Sequence, residues 1–262
     1  YWDKDNVHLD KVKLSFWDGQ DTNKPTEAFK DGSFTMARLF PTSASYSETE
    51  KAFKDNIVYT QQDSTTYLVG TNIDRQSYKY TSKTTDEEKA STKKALLNKD
   101  FRQAIAFGFD RTAYASQVNG ASGATKLLRN LFVPPTFVQA DGKNFGELVK
   151  EKLVTYGDEW SNVNLDDAQD GLYNPDKAKA EFAKAKAALQ AEGVKFPIHL
   201  DMPVDQTNTT KVQRVQSFKQ SVEENLGSDN VVIDIQQLQK DDVQNITYFA
   251  ETAAGEDWDI SD

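Results

Sequence analysis

The side chains able to do chemistry are sparse and poorly spaced for it. Only two histidines occur, His8 and His199, far apart in the chain. A histidine pair that holds a metal needs the proximity of a helix turn or a hairpin, and this spacing supplies neither. There is no Cys, which excludes disulfide stapling, Cys-ligated metal and thiol catalysis. No Gly-x-Ser-x-Gly turn presents a nucleophilic serine. Gly70, Gly120 and Gly123 are too sparse for a dinucleotide fingerprint or a phosphate loop. Two adjacent acid pairs, Asp166-Asp167 and Asp241-Asp242, have the composition of a carboxylate dyad or of calcium ligands. Sequence neighbours point in different directions, however, and Asp241-Asp242 suits a helix N-terminus, where negative charge is favoured. We therefore expect no catalytic group, no metal and no cofactor.

What remains is a binding surface. Open α/β sheets hold ligands in the crevice beyond their strand ends. The segments at such ends here are 204–208 and 237–240, both polar, mostly uncharged and rich in amides. Amide groups satisfy both the donors and the acceptors of a peptide main chain. Sequence-tolerant peptide recognition needs that property together with roomy side-chain pockets.

The elements that must position these segments are legible from periodicity. Val12, Leu14 and Phe16 alternate with polar residues, which predicts a strand over 12–17. Helices are expected over 22–30, capped by Thr22 or Asn23, and over 45–53; strands are expected over 57–60 and 65–72. Residues 75–88 read as a polar surface loop, and a helix over 85–97 follows. Residues 98–120 predict two helices around a sharp joint, capped by Asp100 and Asp110 and stopped by Gly120. Phe101, Ala104, Ile105 and Gly108 form the apolar face of the first; Ala113, Tyr114 and Val118 that of the second. Pro134-Pro135 makes a stiff extended loop, since a double proline fits neither helix interior nor central strand.

Asn174-Pro175-Asp176 is a helix start, with Ala178, Phe182, Ala185 and Leu189 as the buried stripe and Gly193 as the end. A strand over 198–202 and a turn over 203–208 follow. A helix over 209–226 comes next, with Val212, Val215, Val222 and Leu226 inward and Gly227 terminating it. A strand over 231–237, a helix over 241–252 and a last strand from Trp258 complete the chain. This alternation predicts an α/β layer with one parallel sheet covered by its helices.

With 262 residues the chain suffices for one large domain or two small ones. The net charge of −10 argues against a nucleic-acid partner, whose phosphates demand a basic face, and against adsorption to an anionic membrane. No apolar run reaches the roughly 18–20 residues of a membrane span. The chain opens on Tyr1 without a basic-then-apolar leader and stops at Asp262, so an excerpt or processed chain is expected.

Two runs in the jointed helices, Asp100-x-Arg102-x-Ala104 and Ala106-x-Gly108-x-Asp110-Arg111, resemble the signature of the solute-binding proteins of peptide ABC transporters. The wording is most similar to the streptococcal Ami/Ali oligopeptide-binding lipoproteins. Ala28 to Thr35 is similar to the family's Phe/Tyr-x-x-Gly-x-Ile-Asp element, with Thr35 in place of its Asp. Thr65 to Asn72 resembles its Tyr-Tyr-Leu-Gly-Phe-Asn segment, which runs along the ligand cleft between lobes. Relatives have Pro-Pro-Phe where this chain has Ser77-Tyr78-Lys79-Tyr80.

The resemblance implies an α/β, periplasmic-binding-protein-like fold of type II, peptide-binding class. Residues 1–72 would form part of the first lobe and the crossing strands, and 73–262 the second lobe, truncated before its return to the first. It implies non-catalytic capture of oligopeptides for an ABC transporter permease by a monomeric protein. That protein would sit on the extracellular face of a Gram-positive membrane, through a lipid anchor absent from this chain. In relatives an aspartate in a Gly-Trp-x-x-Asp-Tyr segment beyond the Trp258-Asp259 strand anchors the peptide amino group. This chain stops before that segment and is expected to bind peptide poorly alone. Tyr67, Asn72 and Pro134 are the cleft residues by resemblance; Val204, Gln206, Gln239 and Lys240 join them by their place at strand ends. All are expected along one side of a single cleft. The alternatives are a secreted α/β hydrolase or glycan-active enzyme, and a structural or host-interaction domain.

Overall fold

A computed structural model describes residues 2–58, 65–157 and 160–262. Two short helices, α1 (Lys24–Lys30) and α2 (Tyr46–Ala52), precede a two-residue strand, β1 (Gly70–Thr71). Three consecutive helices follow, α3 (Asp86–Leu97), α4 (Lys99–Gly108) and α5 (Arg111–Gly123). A small hairpin of β2 (Gln139–Ala140) and β3 (Lys143–Asn144) leads into α6 (Phe145–Leu153). The C-terminal part alternates α7 (Pro175–Ala191), β4 (Ile198–Asp205), α8 (Thr209–Leu226), β5 (Val231–Leu238), α9 (Lys240–Ile246) and β6 (Ile260–Ser261).

β4 and β5 pair in parallel, from Ile198 opposite Val231 to Asp205 opposite Leu238, with α8 as the crossover. β6 pairs antiparallel with β1 rather than entering the parallel ladder. It is nevertheless stitched beside β4: the Asp259 N–H donates to the Asp201 carbonyl at 3.0 Å, and the Asn72 N–H to the Asp259 carbonyl at 2.9 Å. The chain crossing at β1 and the chain returning at β6 thus lie side by side along β4.

Helix α7 starts as its sequence dictates. Asn174 accepts from the Lys177 N–H at 3.0 Å and Pro175 opens the helix. Phe182, Leu189, Val215 and Val222 are all buried, together with Phe101 and Ile105 of α4 and Leu200, Met202 and Ile233 of the sheet. Gly108 faces α7 and α8, where a Cβ would stand in ordinary contact, 3.6 Å from both Ala178 and Asn225.

Several expectations require correction. Asn98, not Asp100, caps α4 by accepting from the Phe101 N–H at 3.0 Å; Asp100 lies inside the first turn. Asp110 does cap α5. Gly120 breaks the helix at φ 68°, but a further turn runs on to Gly123. Packing also excludes a side chain there, because a Cβ on Gly120 would stand 2.0 Å from the Tyr46 hydroxyl. Asn23 precedes α1 without capping it and instead accepts from the Ser45 N–H and hydroxyl.

Residues 12–17 form no strand, and Val12, Leu14 and Phe16 stand 70%, 91% and 93% exposed. An alternating apolar face makes a strand only against a partner, and none of the described residues provides one. The expected strand over 57–60 lies partly outside the described residues, and that over 65–72 shrinks to β1. The predicted turn at Pro203 is strand, because Asp201 turns its N–H and C=O toward Asp259. Pro203, two residues on, therefore has its missing donor on that flank and off the β5 ladder. The last helix ends at Ile246 rather than Thr252.

Candidate functional site

The parallel pair places two of the amide-rich segments together. The Gln206 N–H donates to the Leu238 carbonyl at 2.9 Å, so Gln206 stands beside Gln239 and Lys240 at the C-terminal edge of β4 and β5. All three are exposed. Asn208 caps α8 on the Lys211 N–H at 3.0 Å, and Asp205 accepts from the Thr207 N–H at 2.9 Å. These local bonds hold the loop open toward solvent. Val204 differs: its side chain is buried in the core. Strand alternation explains this, since the last inward position of β4 falls there.

A second group forms where the crossing chain meets the proline loop. The Thr66 hydroxyl donates to the Phe132 carbonyl at 2.9 Å. Arg129 Nη1 donates to the Thr65 carbonyl at 3.1 Å. Tyr67, 84% exposed, is thereby brought to the loop that carries Pro134. Pro134 is half-buried, and its carbonyl accepts from the Phe137 N–H at 3.0 Å. The two groups are bridged by the crossing chain, which runs from Tyr67 through β1 to its place beside β6. Asn72 lies on that bridge and is buried. Its Oδ1 accepts from the Asp74 N–H at 3.0 Å, closing a turn, while its Nδ2 is buried without a partner among the described residues.

Beneath the bridge lies a feature that the sequence reading missed. Arg75, Lys83, Asp201, Asp257 and Asp259 are all buried and interlocked. Arg75 reaches Asp201 at 2.7 Å, Asp257 at 2.7 Å and Asp259 at 2.8 Å; Lys83 reaches Asp201 at 2.7 Å and Asp259 at 2.5 Å. Burial alone would raise the Asp201 carboxyl, but the Lys83 ammonium outweighs it, aided by bonds from Ser82 and Thr81, and holds it below the usual carboxylate range. Burial likewise opposes the Arg75 charge, and Asp259, Asp257 and Asp201 together drive its pKa further up. The cluster joins the crossing chain, β4 and the returning chain. Its signal in the sequence was an acid inside an apolar strand, Leu200-Asp201-Met202, which must be paired if it is to be buried.

Beside this cluster, His199 and Ser82 both lie against Asp234. His199 Nδ1 lies 2.8 Å from Asp234 Oδ2. The nearby Ser82 hydroxyl bonds the carboxylates of Asp201 and Asp234, at 2.8 Å each, rather than the imidazole. Among the described residues no three His, Asp or Glu side chains converge to hold a metal. A surface hollow of about 320 Å³ opens beside Glu88 and His199, and another of about 440 Å³ beside Glu50 and Ser122.

A family model described as bacterial extracellular solute-binding proteins, family 5 Middle, matches residues 1–261. The chain belongs to this family. The oligopeptide-binding protein AliA of Streptococcus pneumoniae serotype 4 is 85% identical over 262 residues, covering all of this chain and 40% of that protein. The oligopeptide-binding protein SarA of Streptococcus gordonii is 72% identical over the same span, again 40% of its length. This chain therefore spans about 40% of the length of these curated relatives. Two solved structures show the same fold over 100% of the chain. One is Listeria monocytogenes OppA bound to peptide, at TM-score 0.53, 20% identity and 41% of that chain. The other is the substrate-binding domain of an oligopeptide ABC transporter from Bacillus anthracis, at TM-score 0.58, 18% identity and 40% of that chain. The fold is α/β and periplasmic-binding-protein-like, of the peptide-binding class. Relatives in family 5 are named as binding proteins rather than enzymes.

Within the family-5 chain the signature residues serve the scaffold. Arg102 Nη1 donates to the Leu96 carbonyl at 2.6 Å and closes the α3–α4 joint. Arg111 binds Asp170 and the loop after α5. Tyr114 donates its hydroxyl to Asp262 at 2.6 Å; burial first, then that carboxylate, pushes its pKa up.

Proposed function

We propose that this chain is part of an extracytoplasmic protein that captures oligopeptides and hands them to an ABC transporter permease without chemical change. The observation that carries the reading is the 85% identity, along all 262 residues, to a protein named for oligopeptide binding. Residues 1–72 belong to a first lobe and the crossing strands, 73–262 to a second lobe. The ligand face is offered by Tyr67, Pro134, Gln206, Gln239 and Lys240, with Asn72 beneath them. These are uncharged amides, an aromatic ring, a proline and one lysine, a set that pairs with a peptide backbone while leaving side-chain identity open. The complete protein acts as a monomer held at the extracellular face of the cell membrane by a lipid anchor.

The test is recovery of ligand. The full-length protein, incubated with an equimolar mixture of an oligopeptide library and an oligosaccharide pool and separated by gel filtration, is expected to retain intact peptides identified by mass spectrometry. Retention of sugars in their place, or cleavage of the library by protease-free protein, removes the reading in favour of a glycan-active enzyme or a hydrolase.

A further inference from the structure

Every guanidinium nitrogen of Arg111 bonds one or both of two distant segments. Its Nε and Nη2 donate to Asp170 Oδ1 at 3.0 and 2.5 Å, and its backbone N–H donates to Asp170 Oδ2 at 2.9 Å. Nη1 donates to the Arg129 carbonyl at 2.8 Å, and Nη2 also reaches Asn130 Oδ1 at 2.6 Å. Asn130 passes the constraint on, with its Nδ2 donating to the Asp166 carbonyl at 2.7 Å. The Leu128 carbonyl accepts from the Ala168 N–H at 2.9 Å. Gly171 closes the knot, because a Cβ there would stand 1.7 Å from the Asn164 carbonyl oxygen. The Arg111 and Asp170 side chains are only 16% and 8% exposed, so water competes little for these bonds.

The far end of this knot is the wall that faces the ligand in the function proposed above. Residues 129–132 hold the crossing chain at Thr65 and Thr66. The two aromatic rings they present, Tyr67 and Phe132, are 84% and 74% exposed and serve no core. We propose that Arg111 is a positioning residue for peptide capture: it fixes the loop 128–135 and, through it, the placement of Phe132 and Tyr67. Arginine is required because a lysine ammonium cannot span a carboxylate, a carbonyl and an amide oxygen in one plane. This inference rests on the peptide-binding reading.

The experiment compares wild type, Arg111→Lys, Asn130→Ala and a control, Arg102→Lys, in the full-length protein. Arg102 also bonds a backbone carbonyl, but at the α3–α4 joint, away from the loop. Hydrogen exchange is read at 65–69 and 128–135, and calorimetry measures the affinity for the tightest peptide recovered with wild type. Arg111→Lys is expected to raise exchange in both segments and weaken binding at least about tenfold, the scale of a lost charge-assisted bond. Arg102→Lys should lower the melting temperature comparably and change neither readout. Asn130→Ala should reproduce the Arg111→Lys pattern and replaces it if that variant does not fold. A loosened loop with unchanged affinity overturns the proposal, as does lost affinity with both segments still protected. Wild type that retains no peptide overturns the functional reading before any variant is compared, while the exchange arm still reports whether Arg111 orders the loop.

Discussion

A buried charge is tolerated only when every neighbour that neutralises it stays in place. Arg75, Lys83, Asp201, Asp257 and Asp259 meet that demand with three carboxylates around two cations. Removing one partner strands the others. Lys83→Met should therefore cost about 3–5 kcal/mol in a denaturant melt; a loss like that of an exposed lysine would show that the cluster is not closed. The Asp201 carboxyl is held below its ordinary value of 3.8 in the fold. A depressed carboxyl contributes stability that is fully present above the unfolded pKa and lost as pH falls through the folded one. Stability is expected to be flat with respect to this group near neutrality and to decline below about pH 4, with a shallower acid limb in Asp201→Asn. An identical acid limb in the two proteins would contradict the assignment. Asn72 illustrates how a residue's role is hidden at this scale. Its place in a family-like segment suggested the cleft, yet its oxygen closes a turn onto Asp74. Asn72→Ala should lower stability by about 1 kcal/mol, as a melt would show.

At the scale of elements, local grammar was readable and partners were not. The start of α7 at Asn174-Pro175 and the cap at Asp110 follow from side chains that satisfy their own helix. The cap of α4 was misplaced by two residues, because Asn98 and Asp100 are both capping types and only backbone conformation separates them. Asn98→Ala should destabilise by about 1 kcal/mol, and Asp100→Ala by only about a few tenths, the worth of a first-turn acid. Equal losses in paired melts would restore the original cap. Residues 12–17 mark the limit: alternation is a property of the segment, but a strand is a property of a pair. The stripe of α7 was legible because an amphipathic helix writes its buried face locally. Phe182→Ala should cost about 3–5 kcal/mol, whereas a surface-like value would remove it from the core.

At the scale of the molecule, the decisive contacts join residues more than sixty positions apart. Arg75 with Asp201 and Arg129 with Thr65 leave no period in the sequence. The peptide-binding class was nonetheless readable, because the signature from Asp100 to Arg111 is long enough to be specific, although its arginines bond the scaffold here. In the function proposed here the crossing chain and the strand ends form one peptide-facing surface. Hydrogen exchange on the full-length protein, with and without a retained oligopeptide, measures that surface most directly. Protection on loading is expected at 65–72, 128–135, 204–208 and 237–240. Peptide binding that protects other segments and leaves these four unchanged would contradict it.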